Sequence, residues 1–208
     1  MKRTLFGLAL LALGATATQV SATTMSPLTQ DQKADASDLI VRGTVTEVWT
    51  ARDDIGRIWT HAQIEVAETF KGEPVDLVLV SQMGGVHAND FQPMHGAPRF
   101  DVGEEGFFFL EHLPAGYTGV VGWWQGKYTV RVDPLSGQEM LVQFVVSQDT
   151  WYDHRFIPHP PVDERLMADD FQQELLGNVA NGWDGEPIPG VELEKLARIN
   201  TLNTEVVR

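Results

Sequence analysis

The sequence predicts a mainly β protein: an antiparallel barrel or sandwich, with one short helix before it and two after it. Three observations predict it. Between Leu39 and Val146, about seven short segments either alternate apolar with polar residues or run apolar throughout. Turn-forming clusters separate them, among them Asp53-Asp54-Ile55-Gly56, Lys71-Gly72-Glu73-Pro74 and Asp133-Pro134-Leu135-Ser136-Gly137. Helical spacing is confined to the flanks.

The chain has 208 residues, and its start reads as a secretory signal peptide over residues 1–22. Lys2 and Arg3 are the basic start, Leu5 to Ala15 the apolar core, and Val20-Ser21-Ala22 a small-residue cleavage site. The apolar run is short of the ~20 residues that a membrane span needs, so no span is expected after signal-peptide removal. Without Lys2 and Arg3 the net charge moves from −14 to −16. Such a chain repels phosphate backbones, which argues against nucleic acid as a partner. There is no cysteine, so disulfides, thiolate metal sites and thiol nucleophiles are excluded. Stability must then come from an apolar core, which a 43% hydrophobic composition can supply.

The elements follow in order. Thr29 caps a predicted helix over Gln30–Ala36. Leu39 to Thr50 alternates, with Leu39, Val41, Gly43, Val45 and Trp49 on one face. Ile58 to Phe70 alternates likewise and completes a long hairpin. Val75 to Ser81 is nearly all apolar, as a central strand buried on both faces would be. Gly106 to Leu110 is a second buried strand. Tyr117 to Trp124 and Lys127 to Val132 are two more, the latter with Tyr128, Val130 and Val132 inward and Lys127, Thr129 and Arg131 outward. Gln138 to Val146 is the last strand. Ser147 to Pro161, rich in Trp, Tyr, His and Pro, reads as a strap across the barrel. Val162 to Val179 is a helix with Asp163 as N-cap and Met167, Phe171 and Leu175 on its buried stripe. Val191 to Leu202 is the final helix. The expected organisation is a signal peptide at 1–22, a β-barrel domain at 23–147, and a strap with helical tail at 148–208.

Several local motifs carry a resemblance. They are Ala36-Ser37-Asp38-Leu39-Ile40-Val41-Arg42-Gly43-Thr44-Val45, Phe70-Lys71-Gly72, Gly84-Gly85, Pro98-Arg99-Phe100 with Gly103-Glu104, and Gln125-Gly126-Lys127-Tyr128. Over residues 34–130 the chain resembles a group of uncharacterised bacterial secreted proteins. Their barrel looks like the oligonucleotide/oligosaccharide-binding (OB) type of netrin-like domains and tissue inhibitors of metalloproteinases. The resemblance implies an OB-like barrel and carries over no catalytic residue. Those inhibitors chelate a protease zinc through an amino-terminal cysteine and are stapled by disulfides, and this chain has neither.

The candidate surface centres on Gly84 to Arg99, the longest insert between strands. His87, Asp90 and His95 are borderline-to-hard ligands that suit a divalent ion, with His112 available as a fourth. Their spacing matches no metal motif, so polar surface is the reading preferred here. His154 and His159 lie beside Asp153, but no Ser elbow or Cys accompanies them, and the neighbouring aromatics read as anchors of the strap. Phe91 and Met94 either fold beneath the loop or meet a partner. Trp59, Trp123 and Trp124 offer stacking or anchoring rings, the last two on opposite faces of a strand. Arg99 can clamp a carboxylate or pair with Glu104.

The expected function is a secreted or periplasmic, non-catalytic binding module without cofactor. Its partner would be a protein or a glycan, bound by His87, Asp90, Phe91, Met94, His95, Arg99, Trp59, Trp123 and Trp124. One alternative is an inhibitor or partner of a secreted hydrolase. Another is a metal-dependent enzyme using His87, His95 and His112.

Overall fold

Three consecutive phenylalanines set the architecture. Phe107 and Phe109 point to one side of their strand and Phe108 to the other, and all three are fully buried. A strand covered on both faces must lie inside the molecule, with other described elements packed on each side. The computed structural model describes residues 28–94, 96–114, 116–143, 151–152, 158–159 and 166–182. Expectations for residues 1–22, for most of the strap and for the helix at 191–202 lie outside the described residues.

The described elements are helix α1 (Gln30–Ala36), strands β1 (Leu39–Arg52), β2 (Ile58–Lys71), β3 (Leu77–Met83), β4 (Gly85–His87), β5 (Asp90–Gln92), β6 (Glu105–His112) and β7 (Thr118–Val120), a 3-10 helix (Trp123–Gly126), strands β8 (Lys127–Val132), β9 (Glu139–Val142), β10 (Trp151–Tyr152), β11 (Pro158–His159) and β12 (Leu166–Met167), and helix α2 (Ala168–Asn181). The fold is mainly β. One antiparallel sheet runs in the order β12-β9-β8-β6-β1-β2-β3, with β7 also paired to β6. The pairs β4–β5 and β10–β11 stand apart as two-stranded ribbons.

Two apolar clusters fill the two sides of β6. Phe108, Leu110, Val41, Val45, Ala62, Ile64, Val78, Val80 and Phe100 pack in the curl of the sheet. Phe107, Phe109, Ile40, Tyr128, Val130 and Leu141 pack against Phe171 and Leu175 of α2. Burying each such side chain contributes about 1.5–3 kcal/mol. Gly43 and Gly106 face each other across β1 and β6. A Cβ on Gly43 would lie 2.4 Å from Glu65 O, and one on Gly106 the same 2.4 Å from Tyr128 O. Only glycine lets the neighbouring strands come this close at the bend.

The hydrogen-bonded path among the described strands runs open from β12 to β3, so no closed barrel is found. Five expectations need correcting. Trp49 does not share the buried face of Val45, because a register shift between Val45 and Glu47 turns it outward. The strand expected over Tyr117–Trp124 ends at Val120. Gly122 and Trp123 take φ of 59° and 62°, and this left-handed bend turns Trp123 and Trp124 into a 3-10 helix. The shortened β7 lies against β3 but shares its ladder only with β6. For its part, β3 is the end strand, not a central one, and Leu77 and Leu79 on its outer face are exposed. In β8, Lys127 and Thr129 are buried rather than outward, because Glu104 waits beneath them, and Val132 at the strand's end is exposed rather than inward. Helix α2 begins at Ala168, with Met167 at its N-cap, and Asp163 lies outside the described residues.

Candidate functional site

The segment from Gly84 to Arg99 is not irregular throughout. Gly84 and Gly85, at φ of 97° and 129°, turn the chain out of β3 into the β4–β5 ribbon. Room is scarce there: a Cβ on Gly85 would meet Thr60 Oγ1 at 2.4 Å, and one on Gly84 would meet Met94 Cβ at 2.8 Å. The ribbon turns through Ala88 and Asn89, with Ala88 at φ 55°. His87 pairs with Asp90 across it, and Val86 with Phe91.

Polar contacts tie this ribbon to the β1–β2 hairpin. His87 Nδ1 lies 3.1 Å from Thr50 O and 3.2 Å from Thr50 Oγ1. The Thr50 hydroxyl donates to Val86 O at 2.8 Å, so its one proton is used. Nδ1 therefore donates to Thr50 O, a carbonyl that can only accept. Arg52 forms an ion pair with Asp90 and donates to Gly56 O at 2.7 Å. Gln92 Oε1 accepts from the Ile58 N–H at 2.9 Å. These contacts fix the ribbon's base. One side of the ribbon is apolar: Phe91 is 70% exposed and Val86, beside it, 59%.

The expected site residues divide. His87, Asp90 and Phe91 share the ribbon, and half-buried Met94 packs on Gly84 at its foot. Arg99 and Trp124 come together with Pro98, Lys127 and Thr129 around a shallow notch. The Trp124 N–H donates to Gly96 O at 3.1 Å, which joins the end of the insert to the 3-10 helix. Trp123, next to it, is exposed. His95 lies outside the described residues. Trp59 does not belong to the surface, because it is only 8% exposed. Its ring stacks on Tyr117 with centroids 4.6 Å apart, and its Nε1 donates to Asp53 Oδ2 at 3.0 Å. Nor do the described histidines of the metal reading converge. His87 sits at Thr50, whereas the His112 N–H donates to Asp38 Oδ2 at 2.7 Å. Those two points lie at opposite ends of β1, and no metal-holding group of His, Asp or Glu forms among the described residues.

Beneath the notch lies a polar cluster that sequence reasoning missed. Glu104 Oε1 accepts from Lys127 Nζ and from the Thr129 hydroxyl, and Glu104 Oε2 accepts from the Asp101 N–H at 3.1 Å. All three side chains are buried. Burial lowers the Lys127 pKa, while the hydrogen bond and charge of Glu104, together with Asp101, oppose the shift. The chemistry here is cohesive. The cluster staples the Pro98–Glu104 segment to β8 and holds Arg99 and Trp124 at the rim. No local signal in the sequence marked it, because Glu104 and Lys127 are distant along the chain and meet only through the pairing of β6 with β8.

No protein-family model matches the chain, and no curated protein sequence matches it.

Proposed function

We propose that this protein is an exported, non-catalytic binding module with an OB-like barrel, which contacts a partner protein through the 84–99 insert. Three features support the barrel. The sheet curls around the Phe108 cluster, Gly43 and Gly106 meet at its bend, and β7 lies against β3 where an OB-like barrel would close. The basic start, apolar core and small-residue end of residues 1–22 support export to the periplasm or beyond.

One observation carries the binding reading. Val86 and Phe91 stand side by side in solvent on a ribbon whose base is held by Thr50, Arg52 and Gln92. An exposed aromatic on a pre-ordered support loses little entropy on binding, which is the character of an interface anchor. Arg99, Trp123 and Trp124 extend the same insert with a cation and two rings that protein or glycan surfaces accept. The ribbon also favours a second reading, in which the partner is a secreted hydrolase and the Phe91 tip enters its cleft.

The test is affinity capture from the exported fraction, with wild type and Phe91→Ser compared side by side. Phe91→Ser should keep the melting temperature, since surface substitutions shift stability by only about 0.5 kcal/mol. It should lose the captured partner. An identical captured set for both proteins would remove the ribbon from the interface.

A further inference from the structure

The outer face of β1, β2 and β3 presents a second surface, remote in composition from the 84–99 insert. Register places its side chains in three rows. Trp49, His61 and Ser81 form the first, Glu47, Gln63 and Leu79 the second, and Thr44, Glu65 and Leu77 the third. The core-facing residues of the same strands, Val45, Ala62, Ile64, Val78 and Val80, are buried on the other side. Solvent faces of antiparallel sheets are normally polar. This one exposes Trp49 (37%), Leu79 (46%) and Leu77 (52%).

Its polar groups lean one way. Glu47 and Glu65 are exposed, and neither forms an ion pair among the described residues. The only titratable base in the three rows is His61. It donates to or accepts from Ser81 Oγ at 2.8 Å, and its ring centroid lies 5.3 Å from that of Trp49. Burial lowers its pKa, which disfavours the charged form. The face therefore combines apolar area with uncompensated negative charge.

We infer that this face docks a basic, apolar, extended segment of a partner protein, with Leu77, Leu79 and Trp49 receiving its apolar side chains and Glu47 and Glu65 its Lys or Arg. Charge complementarity selects this occupant. A second copy of the chain would bring the same carboxylates and a net charge of −14, and an anionic membrane would be repelled in the same way. Neutral glycans fit the Trp49 ring but leave the two carboxylates without partners. A strand-like segment also matches the spacing, because residues two apart on one side of it repeat at ~6.6 Å, as Leu77 and Leu79 do.

The probe is a peptide of about 10 alternating Leu and Lys residues, long enough to cross the face as a strand. Binding to the full chain is followed by calorimetry and by amide shifts in NMR spectra. The proposal expects shifts centred on Trp49, Glu65, Leu77 and Leu79. It expects at least about tenfold weaker binding for Glu47→Gln/Glu65→Gln and for Leu77→Thr/Leu79→Thr, and a further loss in added salt. Asp169→Asn/Asp170→Asn on α2 should bind like wild type, as should Phe91→Ser, which keeps this test distinct from that of the ribbon. Equal loss in the α2 variant would reduce the effect to overall charge and overturn the proposal. So would shifts spread over the surface, a dimer that disappears in the Leu77/Leu79 variant, or a soluble neutral β-glucan binding at Trp49 in place of the peptide.

Discussion

The Lys127 ammonium donates to Glu104 Oε1 inside the molecule, with the Lys127 side chain also 5.4 Å above the Phe100 ring. The two charges neutralise each other where water cannot. Removing one partner leaves the other buried and uncompensated, which costs about 3–5 kcal/mol. Glu104→Ala and Lys127→Met should each lower the unfolding free energy obtained from urea melts by that order. The double variant Glu104→Leu/Lys127→Met should recover part of the loss, because it strands no charge but leaves the Thr129 hydroxyl and the Asp101 N–H without their acceptor. A double variant no better than the worse single one would show that the pair does not act as a unit.

Lys33 makes a related but pH-dependent prediction. Its ammonium donates to the Tyr128 hydroxyl and lies 4.7 Å from that ring's centroid, and the side chain is buried. Desolvation lowers its pKa to about 8, against the pull of Glu174. Between that value and the ordinary 10.5, the unfolded chain binds more protons at this site than the folded one. Stability therefore rises with pH through this window. The gain has an upper limit of about 3 kcal/mol, from roughly 1.4 kcal/mol per pKa unit. Comparing urea midpoints at pH 7 and pH 9.5 should show a smaller rise in Lys33→Met than in wild type. Equal slopes would mean that the Lys33 charge costs nothing in the fold.

The glycine pair at the bend predicts a steric cost. Alanine at Gly43 would place its Cβ 2.4 Å from Glu65 O and 2.8 Å from Ile64 Cγ2. Backbone on one side and core on the other leave no direction for relief. Gly43→Ala should destabilise by about 1–3 kcal/mol, the range for overpacking. Gly103→Ala has open space around its Cβ, and its cost comes only from the backbone, at φ 86°. Thermal melts of the two variants separate the causes. Thioflavin-negative, monomeric melts with unchanged midpoints for Gly43→Ala would contradict the close approach.

Much of this was legible in the residues themselves. Alternation placed β1 and β2 and their shared turn, since period two over long stretches leaves few alternatives. The apolar run at Phe107–Leu110 marked a strand buried on both sides. What failed shares one physical cause, which is burial decided by residues distant in sequence. Period two placed Lys127 and Thr129 outward because nothing local showed that Glu104 would lie under them. Trp59 lies near the hairpin turn, and its ring is covered by Tyr117, which arrives just before β7, and by Arg57. Trp123 adopts a positive φ that a bulky residue seldom takes, so its neighbour Gly122 was the sole local sign of the bend. The ribbon was hidden because Ala88 is not a residue that signals a positive-φ turn.

The turn that begins β2 offers the last prediction, and it reports on Trp59 directly. Asp53 accepts from the N–H groups of Ile55 and Arg57, from Arg57 Nε at 2.6 Å and from Trp59 Nε1 at 3.0 Å. Desolvation would raise its pKa, but the Trp59 and Arg57 hydrogen bonds and the Arg57 charge outweigh it and hold the carboxyl at about 2. The folded pKa lies below the ordinary 3.8, so the stabilisation is present above that value and fades as pH falls through about 2. Since the indole hydrogen bond and the Tyr117 stack share one ring, protonating Asp53 should loosen both. Near-ultraviolet circular dichroism should show the Trp59–Tyr117 signal declining as pH falls through about 2. In Asp53→Asn the signal should be weaker at neutral pH and flat over the same fall, because the charge that orders the donors is already gone. A wild-type signal that holds through pH 2, or an Asp53→Asn signal that declines in parallel, would detach the stack from the Asp53 carboxylate.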